Sequence, residues 1–202
     1  MEFAFTPEQR VRIAEGLAAR YADVAAGQAG LFNYPTGRAG LAGLGYPAEV
    51  LAVLPKAVQE GFCGVGNPFA LGPVLPGDAV LDIGCGTGLD ALVAAVAAGP
   101  SGRVAGVEAS PEMLARAQAN LQAAGLANVE FSPGSAEALP FPDGRFHLAI
   151  SNGVFNLVVD KGRALAEAFR VLVPGGRLQV ADQVLTGPPA GDAEAVVLAW
   201  SG

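Results

Sequence analysis

Histidine occurs once in this 202-residue chain, at position 147, and cysteine twice, at positions 63 and 85. Two cysteines cannot build a disulfide framework. Charge is sparse: 15% of residues are Asp, Glu, Lys or Arg, with 12 basic residues against 19 acidic ones and a formal net charge of -7. No Lys/Arg cluster stands out, and a nucleic-acid partner needs a basic footprint, so none is expected. Long apolar runs are also missing, so no bilayer span and no membrane partner is expected. The start, Met1-Glu2-Phe3-Ala4-Phe5-Thr6-Pro7-Glu8, lacks a basic region followed by an apolar stretch and does not read as a signal peptide. These absences together point to the cytoplasm. No metal is expected. With 51% hydrophobic residues the chain has enough apolar surface for a sizeable core, which argues against disorder.

The most informative stretch is Val80-Leu81-Asp82-Ile83-Gly84-Cys85-Gly86-Thr87-Gly88. An apolar run ends near an acid, three glycines follow at alternate positions, and a helix-like segment comes next. Open α/β sheets bind ligands outside the carboxyl ends of their strands, where such a loop lies. Glycine permits backbone conformations and close approach that a Cβ would block. Glu108 closes a second apolar run, Val104-Ala105-Gly106-Val107, twenty residues after Gly88. A carboxylate there can accept hydrogen bonds from both hydroxyls of a ribose.

From residue 78 onward strands and helices alternate, which indicates a parallel sheet. Strands are expected at 79–83, 103–108, 128–132, 146–151 and 176–183, and helices at 88–98, 111–124 and 161–172. Ser110-Pro111-Glu112 supplies an N-cap and a first-turn proline, and Gly125 a stop. Pro174-Gly175-Gly176 reads as the tight turn before the fifth strand. Residues 193–200 could start one more helix. Residues 1–75 read differently, as a helical cap over the ligand edge, with 76–202 as the ligand-binding domain. Thr6-Pro7-Glu8 starts a helix in which Val11, Ile13, Ala14, Leu17, Ala18 and Tyr21 recur at roughly helical spacing. Gly27 to Gly45 reads mainly as loop, and Pro47 to Leu54 as a short helix.

Three features separate a nicotinamide site from one for S-adenosylmethionine. The glycines run Gly-x-Gly-x-Gly, whereas dinucleotide sites use Gly-x-Gly-x-x-Gly. Gly134-Ser135-Ala136-Glu137-Ala138-Leu139-Pro140-Phe141 follows the third strand, and Arg170-Val171-Leu172-Val173-Pro174-Gly175-Gly176-Arg177-Leu178 leads into the fifth. In this order, over about residues 75–183, the blocks resemble class I S-adenosylmethionine-dependent methyltransferases. That resemblance implies a Rossmann-like, doubly wound, mostly parallel α/β sheet, and S-adenosylmethionine as cofactor. A narrower resemblance, to arsenite methyltransferases, is carried by Gly45-Tyr46 with Leu54-Pro55, by Gly64-Val65-Gly66-Asn67-Pro68, and by Ile150-Ser151-Asn152-Gly153-Val154-Phe155-Asn156-Leu157 followed by Asp160-Lys161. Asp82 to Asp90 fits the same pattern. In that family cysteines stand where this chain has Val65 and Gly153, and a third lies in a C-terminal region this chain barely reaches. Thiolates suit As(III), and Cys63 alone cannot replace three of them. The resemblance therefore implies a methyltransferase for another small-molecule acceptor.

Carried over residue by residue, the resemblance places Asp82 at the cofactor's ammonium or at the loop amides. Gly84, Cys85, Gly86 and Gly88 form the loop, with the Cys85 thiol read as packing, and Glu108 followed by Ala109 meets the ribose. Ser135, the Ala136 backbone and Glu137 share the contact to the adenine amino group, or none of them makes it. Met113 packs on adenine or fills the core. Asn152 ends the fourth strand facing the methyl group, or makes a strand-end turn. His147 begins that strand, at the end away from the ligand, and reads as structural. Cys63 could line the acceptor pocket or be an inert buried thiol. One of Tyr21, Tyr34 and Tyr46 could close over the cofactor or simply pack. No general base is named. The rivals are a nicotinamide-dependent oxidoreductase, an arsenite methyltransferase-like enzyme, and a binding protein without catalysis. Class I sheets add a helix and two strands after the fifth strand, while about twenty residues follow it here, naturally or because the chain is a fragment. An unfinished sheet leaves an edge that favours a homodimer.

Overall fold

The computed structural model describes residues 5–28, 30–184, 186–187 and 193–201. Five strands, β1 (Ala79–Ile83), β2 (Arg103–Glu108), β3 (Val129–Pro133), β4 (Phe146–Asn152) and β5 (Leu172–Ala181), form one sheet. Their order is β3-β2-β1-β4-β5, and every neighbouring pair is parallel. Between them run α5 (Leu89–Ala98), α6 (Pro111–Ala124) and α7 (Lys161–Val171). β1 is central, and its Val80, Leu81 and Ile83 are fully buried, as a parallel strand covered on both faces requires. Alternation along β1 sends Leu81 and Ile83 to the face that carries Ala168 and Val171 of α7. Val80 packs on the other face with α5.

The sequence of α5 explains its place. Ala91, Ala94, Ala95 and Ala98 recur at i, i+3, i+4 and i+7 and pack with Val80, Val104, Leu148 and Ile150. Small side chains let the helix axis approach the sheet closely. Leu89, Leu92 and Val93 point the other way. A helix that is apolar all round must be covered all round, and the N-terminal region supplies the cover.

That region contains α1 (Pro7–Ala25), α2 (Gly37–Leu41), α3 (Ala48–Val53), α4 (Lys56–Glu60) and a 3₁₀ turn at Pro68–Leu71. Leu41, Tyr46, Leu54, Val58 and Phe62 form one buried cluster with Leu89, Leu92 and Val93. Each large side chain so buried contributes roughly 1.5–3 kcal/mol. Residues 37–62 thus share their core with α5. α1 stands over the carboxyl edge of the sheet, where it packs on α6 and on the last helix, α8 (Ala193–Ser201). Its start is fixed by a capping box: the Thr6 side chain accepts from the Gln9 N–H, and the Gln9 side chain accepts from the Thr6 N–H.

Two local expectations change. The stretch from Gly27 to Gly45 holds the short helix α2 as well as loop. Pro174-Gly175-Gly176 does not precede the fifth strand but lies within it. Phe146 pairs with Leu172 and Leu148 with Arg177, so four residues of β5 stand opposite His147 alone. Proline has no N–H for a ladder, and such a bulge is where a sheet tolerates it. Among the described residues β3 and β5 are the sheet's two edges. No helix among them is long and apolar enough to cross a membrane.

Candidate active site

A cavity of about 410 Å³ opens at the carboxyl ends of β1, β2 and β4. Its floor is the loop after β1, its sides are Glu108 to Ser110, Gly134 to Glu137 and Asn152 to Val154 with Leu157 to Val159, and α1 is its roof. A second pocket of about 40 Å³ lies beyond the glycine loop, walled by Gly61 to Gly64, Asp82, the loop itself, Asp90 and Asn152.

The loop is stitched to β2. Gly84 and Cys85 N–H both donate to Val107 O, at 2.8 and 3.0 Å. The Glu108 carboxylate continues the seam, accepting from Gly86 N–H at 2.9 Å and from Ser110 N–H at 2.8 Å. Each of its oxygens keeps a lone pair, so Glu108 can also accept from a ligand's hydroxyls. Gly84 has φ +71°, and a Cβ there would sit 2.4 Å from Val154 Cγ2. Gly88 has φ +90°, and a Cβ there would meet the Phe131 ring at 2.7 Å. Gly88 therefore serves close packing against β3 and does not line the cavity.

On the other side of the loop the acids are poorly provided for. Asp82 is 2% exposed, and its Oδ2 has no hydrogen-bond partner. Burial first, and the neighbouring Asp90 charge second, push its carboxyl well above the usual carboxylate range. Asp90 is 7% exposed; it accepts from the Tyr46 hydroxyl at 2.6 Å and from Asn152 Nδ2 at 2.9 Å. Burial moves it up to about 6, against those two bonds, which favour the charged form. No cation is among the groups that act on either. Two buried acids facing a pocket without a cation fit a ligand that brings one.

Of the sequence-predicted residues, Gly84, Gly86, Glu108, Ala109, Ser135, Ala136, Glu137 and Asn152 line the larger cavity, and Asp82 and Cys85 line the smaller. Met113 does neither. It is 1% exposed, and its Cε would lie 3.3 Å from a Cβ on Gly86. Asn152 reaches both cavities, yet its amide is already engaged. Oδ1 accepts from Val65 and Gly66 N–H at 2.8 and 3.1 Å, and Nδ2 donates to Gly66 O at 2.8 Å as well as to Asp90. Its hydrogen bonds hold the segment before the 3₁₀ turn. His147 Nδ1 accepts from Ala79 N–H at 2.9 Å at the amino end of the sheet, far from the cavity.

Sequence reasoning gave Asp90 no role of its own. Ile13, Ala14, Leu17, Ala18 and Tyr21 of α1 face the cavity; their spacing marked a helix face in a region expected to cap the ligand edge, but not which of them would line the cavity. Asp90 was legible only as a lone carboxylate in the apolar run Leu89-Asp90-Ala91-Leu92-Val93. Cys63 lines both cavities, and burial pushes its thiol up to about 12. Burial likewise raises Tyr21. Both stay protonated at neutral pH and are not bases. Glu137 Oε1 accepts from Asp160 N–H at 3.1 Å. Val65 and Gly153 are neighbours: a Cβ on Gly153 would lie 3.5 and 3.6 Å from the Val65 methyls.

Comparison with known proteins agrees with this geometry. The chain is 40% identical over 162 residues to an arsenite methyltransferase of Halobacterium salinarum, a match spanning 80% of this chain and 41% of that protein. It is 43% identical over 105 residues to a demethylmenaquinone methyltransferase of Lactococcus lactis, spanning 52% of this chain and 41% of that one. The chain thus spans well under two thirds of either relative. Among solved structures, an arsenic (III) S-adenosylmethionine methyltransferase from Chlamydomonas reinhardtii superposes with a TM-score of 0.56 at 38% identity, over 75% of this chain and 50% of that one. The family described as a methyltransferase domain matches residues 75–195, which run from just before β1 into α8 and take in the glycine loop and Glu108, and to that family this chain belongs.

Proposed function

We propose that this chain binds S-adenosylmethionine at the carboxyl edge of its sheet and directs methyl transfer to a small, largely apolar acceptor other than arsenite. The observation that carries this reading is the pair Asp82 and Glu108, standing on opposite sides of one glycine loop at the tips of adjacent, paired strands. The ligand that suits them has a cationic group at one end and paired hydroxyls at the other. Asp82 would hold the ammonium and Glu108 the ribose, with Ser135 to Glu137 beside the base. Bound there, S-adenosylmethionine supplies an electrophilic methyl group on a sulfonium centre.

The protein's own contribution is alignment and exclusion of water. The α1 roof, with Val154, Leu157 and Val158, gives the remaining wall an apolar character. Among the described residues that line the larger cavity, Tyr21 and Cys63 stay protonated, and the Glu108 and Glu137 carboxylates already serve backbone N–H groups. An acceptor therefore brings an available lone pair or an acidic proton of its own.

One observation favours arsenite as a second reading. Cys63 and Cys85 both line the small pocket. Against it, burial holds both thiols protonated, and the Val65–Gly153 contact presents methyl groups where relatives of the resembled family carry thiols. Calorimetry with S-adenosylmethionine and S-adenosylhomocysteine, with and without arsenite, separates the readings. Micromolar binding indifferent to arsenite is the expected result. Arsenite-dependent turnover would move the assignment to the second reading, and absence of cofactor binding would overturn both.

A further inference from the structure

Asp82 and Asp90 wall the same small pocket from two elements, the end of β1 and the first turn of α5. Each is more than nine-tenths buried. Asp82 Oδ2 is an orphan acceptor. Asp90 uses both oxygens, one on the Tyr46 hydroxyl and one on the Asn152 amide. The titratable groups acting here are Tyr46 from the segment before α3, Cys63 after α4, Asp82, Cys85 in the loop, Asp90 and Glu108 at the tip of β2. All of them are neutral or anionic. Two carboxylates that wall one pocket, desolvated and without a counter-charge, cannot both ionise cheaply, so they titrate as a pair.

Building on the cofactor reading above, we propose that the Asp82–Asp90 pair holds one proton in the free protein and releases it to solvent when an ammonium group is bound beside it, with Tyr46 and Asn152 as the positioning residues that fix Asp90 for the exchange. The charge balance is simple. The pair goes from one negative charge to two, the ammonium keeps its protons, and the displaced proton goes to buffer. Asp90 takes the Tyr46 and Asn152 bonds on its two oxygens, which leaves the shared proton on Asp82, whose Oδ2 has no other partner. Arrival of the cation then neutralises the acid whose Oδ2 lacked a donor. The raised titration of both acids agrees with this arrangement.

The test is calorimetry on the full chain at neutral pH in buffers of small and large ionisation enthalpy, such as phosphate and Tris. S-adenosylhomocysteine carries the ammonium; 5′-methylthioadenosine carries the nucleoside without it. The expected result is release of about one proton per S-adenosylhomocysteine bound and none per 5′-methylthioadenosine, with affinity for the former rising up to about tenfold per pH unit above about pH 6. Asp90→Asn leaves a single acid and abolishes most of the release. Tyr46→Phe removes a bond that favours ionised Asp90 and extends the release to higher pH. Equal proton counts for the two ligands overturn the proposal and leave the cofactor reading standing. Unchanged release in both variants overturns it as well. Failure of S-adenosylhomocysteine to bind at all overturns the cofactor reading and the proposal with it.

Discussion

The two sides of the glycine loop treat their acids in opposite ways. Glu108, at the tip of β2, is met by two backbone N–H groups, and its carboxylate doubles as a strut between the loop and the start of α6. Asp82, one strand away, is buried deeper and has an oxygen with no partner at all. Fold and ligand therefore draw on the two acids differently. Glu108 ties the loop to α6 in the free protein, and on the proposed reading would also accept from hydroxyls. Asp82 leaves an oxygen unsatisfied in the free protein, and on that reading would be relieved by a cation.

The sharpest way to break this comparison is Glu108→Ala. It leaves the Gly86 and Ser110 N–H groups without their acceptor, which costs on the order of 1–3 kcal/mol for each group that stays dry. Cofactor affinity should fall about 100-fold or more with the loss of two charge-assisted bonds. Denaturant melts and calorimetry read the two effects separately, and a variant as stable as the parent would show that Glu108 is not a strut.

The next effect is in pH. For a carboxyl whose folded value is raised, the folded state binds more protons than the unfolded chain between the two values, so stability falls as pH rises through that window. For Asp90 the window runs from the ordinary carboxyl value of 3.8 to about 6, and Asp82 extends it upward. The Asp90 share is on the order of 3 kcal/mol. Glu167 has the opposite sign, held down to about 2 first by its Arg170 hydrogen bond, and acts only in more acid solution. Thermal melts between pH 5 and about 8 should therefore show declining stability in the free protein, and a flat or rising profile would contradict the unpaired acids.

Asp82→Asn sharpens the contrast with Glu108. Replacing a buried acid that keeps its proton only against solvent at pH 7.5 should leave the free protein equally stable or about 1 kcal/mol more stable, while cofactor affinity drops. Loss of stability comparable to that of Glu108→Ala would erase the distinction. The smallest change expected is Arg12→Ala. It breaks the exposed Arg12–Glu194 pair between α1 and α8, 2.6 Å long and nearly half exposed on both sides, and should cost less than about 1 kcal/mol in a melt.

What could be read from the sequence follows the same divide. Strands β1, β2 and β4 announce themselves as apolar runs because both faces are buried, and Ser110, Gly88 and Gly125 mark helix ends through local chemistry. Glu108 was legible by its interval from the glycines. Asn152 was legible as a residue of interest, but its partners Val65, Gly66 and Asp90 lie more than sixty positions away, and no local pattern reports such bonds. The β5 bulge was misplaced because Pro-Gly-Gly signals a break in the ladder without saying on which side pairing resumes. The spacing in α1 gave its apolar face, in a region expected to cap the ligand edge, whereas which of its residues line the cavity depends on where α6 and α8 receive it.

That roof is held differently from everything beneath it. Ile13 and Ala25 are the buried residues of α1, and its outer links include the Arg12–Glu194 pair and a 2.6 Å bond from Arg116 to Ala25 O. Beneath it, Val80, Leu81 and Ile83 of the central strand β1 are fully buried. Amide protons of α1 should thus exchange through local opening at a small fraction of the global unfolding free energy, well ahead of those in β1. On the proposed reading, opening of this helix would pace ligand release, and an off-rate that follows α1 exchange would be its sign.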